Sequence, residues 1–396
     1  MWSWRSFGLG LGLLAVLGTG LGATPAPPPD AAALKAEGLQ HFYNLEYTRA
    51  IADFRRLVAA QPQSAAAWNH LSQAELYLEM YRIGALESEL YGHGDPFFEQ
   101  KLLPPDPAAI AAFDRANQKA RALATAAVEQ HPQDAHAHYD LAVAWALQGT
   151  LEFSVNKSYW GALSDAKAAR REAEKSVALD PSFVDPQLIL GVHNYVAGSL
   201  PWAVKMFSTL VGYSGNKELG RQQIAGVMAH GENSRTDAAV MLAVVDRRDG
   251  LNQQAAPILK NLSVEYPRNV LFAVEAAEAL EAAGEHDAAR AQYQNILARA
   301  AAHAPGYQRA PLDRVWYALG KIERVYSHWA LAAADFQKAE SQPGAQPRYR
   351  QAAALAAGQA DERAGEPQAA QAQFQRCLAL DPSSLAGRAA ARALGH

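Results

Sequence analysis

A small residue, an aromatic four positions later and, in the best copies, a proline eight positions beyond recur along this chain. The pairs are Ala50/Phe54, Ala289/Tyr293, Ala332/Phe336 and Ala370/Phe374, and the proline follows at Pro62 and Pro382. Upstream of one pair stand Trp316, Leu319 and Gly320, a large residue followed by a Leu-Gly step. Self-similarity near a period of about thirty-four residues is the signature of stacked helical hairpins, in which each unit buries its apolar face only against its neighbours. The constraint is severe: the chain has to be an array, and an array shows its architecture more plainly than its client.

Alanine-rich stretches such as 108–112 and 352–357 favour helix, because alanine loses no side-chain entropy there. No long alternating Val/Ile/Thr segment is present, so the expectation is an all-α chain. The 396 residues are 49% apolar, enough for a core, and a solenoid of this length needs no domain boundary. Net charge is −4, from 36 basic and 40 acidic residues, with no block of one sign. That excludes the basic excess of a nucleic-acid groove.

Residues 1–23 read as an export signal. Arg5 supplies the positive start, 7–17 a glycine-diluted apolar run, and Gly20, Gly22 and Ala23 the small residues of a cleavage site. The run is short of the roughly twenty residues of a membrane span. Retained uncleaved, it is an N-terminal anchor that brings the protein next to a membrane. A proline-rich linker over 24–30 follows. The expected location is periplasmic or secreted. The lone Cys377 has no internal partner and occupies a buried small position, where it packs.

Prolines and glycines lay out about eight hairpins, divergent over 31–235 and regular over 236–384, with a short cap helix or tail at 385–396. The second to fourth carry insertions. In the second, 81–107 contains a Gly-His-Gly-Asp-Pro turn around His93, Phe97-Phe98 and Leu102-Leu103, too apolar for a solvated linker. The third is expected to break at Gly149, with 151–160 inserted. The fourth holds Leu190-Gly191 and Gly198, an apolar stretch over 200–211, and a helix from Lys217. Gly250 and Gly284 fall between paired helices, where a left-handed residue is wanted.

Trp316, Leu319, Gly320, Ala332, Phe336 and Ala339, with Gly358, Ala370, Phe374 and Pro382, resemble the tetratricopeptide repeat consensus, and the resemblance covers most of 31–384. It implies a right-handed α-solenoid. Residues 150–230 also resemble the tetratricopeptide repeat protein 39 family, through Gly161-Ala162-Leu163, Ala168, Ala169, 199–201, Lys205, 211–216 and Leu219-Gly220. An export signal departs from that family, so only a shared structural module is implied.

Chemistry is sparse in the sequence. His131, His136 and His138 lie with Asp134 and Asp140, but residues two apart on a helix diverge by about 200°, and His138 falls at a large packing position. Gly212–Asn216 lacks the last glycine of a nucleophile elbow, and no phosphate loop, His-Glu-x-x-His or dinucleotide fingerprint occurs. Glu275, Glu278 and Glu281, one turn apart, read as a solvated face. No metal, cofactor or catalytic residue is expected.

The resemblance implies that the first helix of each hairpin lines a concave groove. Its register gives Asn69, Gln73, Tyr77, Tyr139, Leu188, Val192, Tyr195, Val240, Val244, Arg247, Arg248, Glu278, Arg314, Tyr317, Lys321 and Arg324: apolar and aromatic in the middle, basic towards the C-terminal half. The carboxylate clamp of chaperone-binding relatives is missing, since Tyr139/Val143, Leu188/Val192 and Val240/Val244 stand in its positions. The leading expectation is a non-enzymatic scaffold binding a protein or peptide partner. A carrier of lipid or another apolar ligand in the central repeats is the alternative, and an enzyme with a site assembled from distant repeats the second.

Overall fold

The computed structural model describes residues 30–86, 103–199 and 215–395. Seventeen α-helices and no strand are found among them. They are α1 (Ala31–Tyr43), α2 (Tyr47–Ala60), α3 (Ala65–Ile83), α4 (Pro107–Gln130), α5 (Ala135–Ser154), α6 (Tyr159–Leu179), α7 (Gln187–Ser199) and α8 (Lys217–His230). Then follow α9 (Arg235–Arg248), α10 (Asn252–Glu265), α11 (Val270–Ala282), α12 (His286–Ala301), α13 (Leu312–Val325), α14 (Trp329–Ser341), α15 (Pro347–Ala364), α16 (Pro367–Leu380) and α17 (Leu385–Ala393). Each odd–even pair is a hairpin and each hairpin packs on the next, an all-α solenoid ending in α17. The leader, the prolines at 25 and 27–29, and the insertions at 87–102 and 200–214 lie outside the described residues.

Side-chain caps begin many of the first helices. Asp30, Ser64, Asp134 and Asn269 accept from backbone N–H groups of α1, α3, α5 and α11, satisfying donors that a helix start leaves open. The small-and-aromatic register then sets the spacing. A Cβ at Gly320 would stand 2.6 Å from the Phe336 ring, and one at Gly358 2.6 Å from the Phe374 ring. Gly38 meets Phe54 in the same way. Absence of a side chain thus lets the helices of a hairpin close over a ring that is fully or almost fully buried.

Seven residues after each of these small positions, and after buried Ala243 and Ala277 at the same place in the fifth and sixth hairpins, the chain enters the left-handed region. Gly250, Gly284 and Gly365 do so at φ 74°, 83° and 81°, as the sequence leads one to expect for the first two. Leu45 (φ 61°) and Ser327 (φ 58°) occupy the same turn in the first and seventh hairpins, where the sequence offers no glycine to mark it. One expectation is corrected. The third hairpin does not break at Gly149; α5 runs through it to Ser154, and the added length is extra helix rather than an inserted loop.

Candidate functional site

The inner wall is not an open trough over its N-terminal half. The first hairpin docks on the fifth and sixth and closes the superhelix on itself. Asn269 Nδ2 donates to the Tyr43 carbonyl at 2.7 Å, Arg268 N donates to Asn44 Oδ1 at 2.9 Å, and the Arg268 guanidinium pairs with Glu46 at 2.8 Å. Tyr43 Oη donates to Asp237 at 2.9 Å, and Lys35 Nζ to Asn233 at 2.7 Å. The Tyr43 and Tyr266 rings lie 5.0 Å apart. A single apolar cluster consequently includes Phe42, Tyr43 and Phe54 from one end and Leu259, Tyr266 and Ala276 from the other. Beside this seam is a cleft of about 500 Å³, lined by Tyr47, Tyr81 and Leu78 with Arg49, Arg82 and Arg309 among the charged residues at its wall.

Neighbouring hairpins engage three of the predicted wall residues, Asn69, Tyr77 and Tyr195, and contacts across the superhelix engage Gln73 and Tyr139. Asn69 is buried and donates to the Asp140 carbonyl at 2.8 Å. Gln73 hydrogen-bonds Asp237. Tyr77 packs 5.1 Å from the Phe42 ring. Tyr139 bonds Ser234 Oγ at 2.6 Å and sits edge-on to Phe183, and buried Tyr195 donates to Asp249 at 2.9 Å. These five hold the chain together.

The basic half of the wall is also largely engaged, which corrects its expected character. Arg314 is buried and pairs with Glu278 and Glu275; Arg247 pairs with the same two carboxylates, reaching Glu278 at 3.0 Å. Lys321 reaches Glu281 at 2.6 Å. The acids on α11 are therefore counterions facing α9 and α13, not a solvated face. Burial raises the Glu278 carboxyl, but the guanidinium groups of Arg314 and Arg247 outweigh it and hold the group below its ordinary range. Tyr317 is half-buried against Phe336 and Tyr349, at 5.4 and 5.8 Å. Arg248 and Arg324 are exposed.

The histidines named in the sequence do different jobs. Buried His138 bonds Glu172 at 2.8 Å and the Pro132 carbonyl at 3.1 Å, while exposed His136 lies on Phe183. Asp134 caps α5. Cys377 is buried, and burial raises its thiol.

Two carboxyls facing the closed interior are pushed up to about 6 by burial. Asp237 takes hydrogen bonds from Tyr43 and Gln73, with Tyr266 and Tyr139 near; Asp140 has His136, Asp134 and Lys35 around it. The folded chain then holds more protons than the unfolded one between pH about 4 and 6. Stability contributed at these groups falls as pH rises through that window. Other carboxylates, Glu278 among them, act in the opposite sense, so the comparison is against a variant. Asp237→Asn should gain in melting temperature relative to the parent as pH goes from 4 to 7; a constant difference would contradict the burial.

Residues 35–78, 109–152 and 240–305 match the tetratricopeptide repeat family model. With the observed hairpins and their register, this defines the class: over those stretches the chain carries tetratricopeptide repeats, set in a solenoid of the same architecture. Its solved structural neighbours include the APC/C Cut9–Hcn1 hetero-tetramer, at 14% identity and TM-score 0.47 over 91% of this chain and 55% of that one. This chain therefore spans about half the length of that protein. Yeast Tom70 is similar at 12% identity and TM-score 0.36, covering 92% of this chain and 94% of that one. The human IFIT1 dimer with m7Gppp-AAAA is similar at 13% identity and TM-score 0.39, covering 93% and 81%. A comparison with curated protein sequences gives no match.

Proposed function

We propose that this chain is an exported, non-enzymatic scaffold that holds a protein or peptide partner on the inner wall of its C-terminal arm, across α13 and α15. One observation carries the reading. The predicted groove residues nearer the N-terminus, exposed Arg248 apart, are engaged within the chain, whereas α13 leaves Arg324 exposed on the helix that carries half-buried Tyr317 and Lys321, and α15 leaves Gln359 and Arg363 exposed. Aromatic faces next to exposed guanidinium groups suit an extended segment bearing carboxylates. Export rests on residues 1–23, and the resemblance of 150–230 to the tetratricopeptide repeat protein 39 family belongs to this proposal as a shared module.

The test is capture from envelope extract, with the partner identified and its affinity measured. Replacing Tyr317, Lys321 and Arg324 together by alanine should weaken binding at least about tenfold, or 1.4 kcal/mol. Lys260→Ala, exposed on α10, should leave it unchanged. Because Tyr317 packs on Phe336, Arg324→Glu alone provides a version that leaves the core intact. Equal capture by all variants would remove this wall from the site. An intact mass beginning at Thr24 would support export, and a retained leader would support the anchored form.

The second reading, a carrier of an apolar ligand in the central repeats, is favoured by exposed aromatics at the α5–α6 turn. Trp160 is 85% exposed, and the Phe153 and Tyr159 rings are 5.9 Å apart. Lipid retained through native purification would favour it.

A further inference from the structure

Histidines are densest in the sequence over 131–140, yet the donor atoms that converge lie elsewhere, on the first hairpin. Glu37 and His41 are one turn apart on α1, and Asp53 precedes Phe54 on α2. Because Gly38 lets α1 close over the Phe54 ring, the residues beside that contact are brought to one seam. An imidazole nitrogen and two carboxylate oxygens there lie within 4.8 Å of one another. His41 Nδ1 and Asp53 Oδ2 are 2.6 Å apart, and Glu46 Oε2 lies 3.9 Å from His41 Nε2.

We propose that Glu37, His41 and Asp53 bind a first-row divalent transition ion, with zinc the best match. One nitrogen and two oxygen donors suit such an ion, and imidazole selects it over magnesium or calcium, which take oxygen alone. Two carboxylates balance its charge, and water completes the coordination.

A cation already stands at this seam. Arg56 lies 3.3 Å from Asp53 and 3.6 Å from Glu37. Its side chain is 53% exposed, so it swings into solvent at little expense. The ion and the guanidinium compete for the same oxygens, and that competition gives the proposal its signature. Binding staples α1 to α2, the hairpin whose turn closes the superhelix.

The experiment is zinc titration by calorimetry of the full chain, untagged and stripped with chelator, with magnesium as the control ion. Wild type should bind one zinc at this seam and show no magnesium heat. His41→Ala should weaken that zinc at least about tenfold, and Arg56→Ala should tighten it several-fold. Zinc should raise the melting temperature of wild type and Arg56→Ala but not of His41→Ala. Glu37→Gln, at an exposed position, covers the case in which His41→Ala fails to fold. No zinc heat in wild type, or equal zinc binding in wild type, His41→Ala and Glu37→Gln, would overturn the proposal and leave an ion-pair network centred on Arg56.

Discussion

Phe336→Ala is expected to destabilise the C-terminal arm by about 3–5 kcal/mol, the range for deleting a fully buried aromatic. The Phe336 ring has no exposure and lies among Ala332, Ala333, Ala356, Ala357 and Ala360, with Tyr317 beside it. Alanine walls cannot extend into the space vacated, so relaxation recovers little and the loss falls at the upper end. In an array the effect is local. Amide exchange should accelerate over α13–α17 while α1–α11 keep their protection, and urea unfolding should split into two transitions. A loss under about 1 kcal/mol would mean that the ring does not fill the space between the seventh and eighth hairpins.

Glu278→Gln should have a comparable effect through charge. Arg247, Arg314, Glu275 and Glu278 form a neutral quartet, with the Arg314 side chain only 7% exposed. Removing one carboxylate leaves two guanidinium groups, one of them buried, to share Glu275 with a net positive charge, and an uncompensated buried charge costs about 3–5 kcal/mol. Removing both members of a pair does not. Glu278→Leu combined with Arg314→Met leaves Arg247 facing Glu275 and should be clearly more stable than Glu278→Gln, as buried pairs replaced by apolar residues generally are. Denaturant midpoints of the two variants give the comparison. Equal loss in both would show that the charges are solvated.

The residues that declare the fold are those with a local rule. Gly320 against Phe336 and Gly358 against Phe374 follow from a period, and the left-handed turns at Gly250 and Gly284 follow from glycine itself. Leu45 and Ser327 take the same backbone conformation without the residue that signals it, so only their register betrays them. Gly149 misleads in the other direction, because a glycine inside a helix need not end it.

The inner wall is less legible. Position within a repeat correctly places Arg247, Arg314 and Lys321 on first helices, but says nothing of what stands opposite. Their counterions on α11 are visible in the sequence only as carboxylates one turn apart, a pattern shared with any solvated helix face. Closure of the superhelix has no sequence signal at all. It depends on Asn44 and Glu46 meeting Arg268, and on Asn269 reaching the Tyr43 carbonyl, across more than two hundred residues. The donors at Glu37, His41 and Asp53 are hidden for a related reason: histidine density points to 131–140, whereas these three are gathered by a helix contact.

The first hairpin docks on the fifth and sixth and closes the N-terminal wall, and the proposed partner is assigned to the C-terminal arm for that reason. Arg49 and Arg309 are exposed and line the same cleft from opposite ends of that closure. Spin labels at these two positions, with Cys377 replaced by alanine, measure the seam directly by pulsed dipolar spectroscopy. Closure predicts one narrow distance, little more than a single helix spacing of about 8–10 Å plus the label arms. A broad distribution, or one centred several helix spacings away, would show an open ribbon and contradict it.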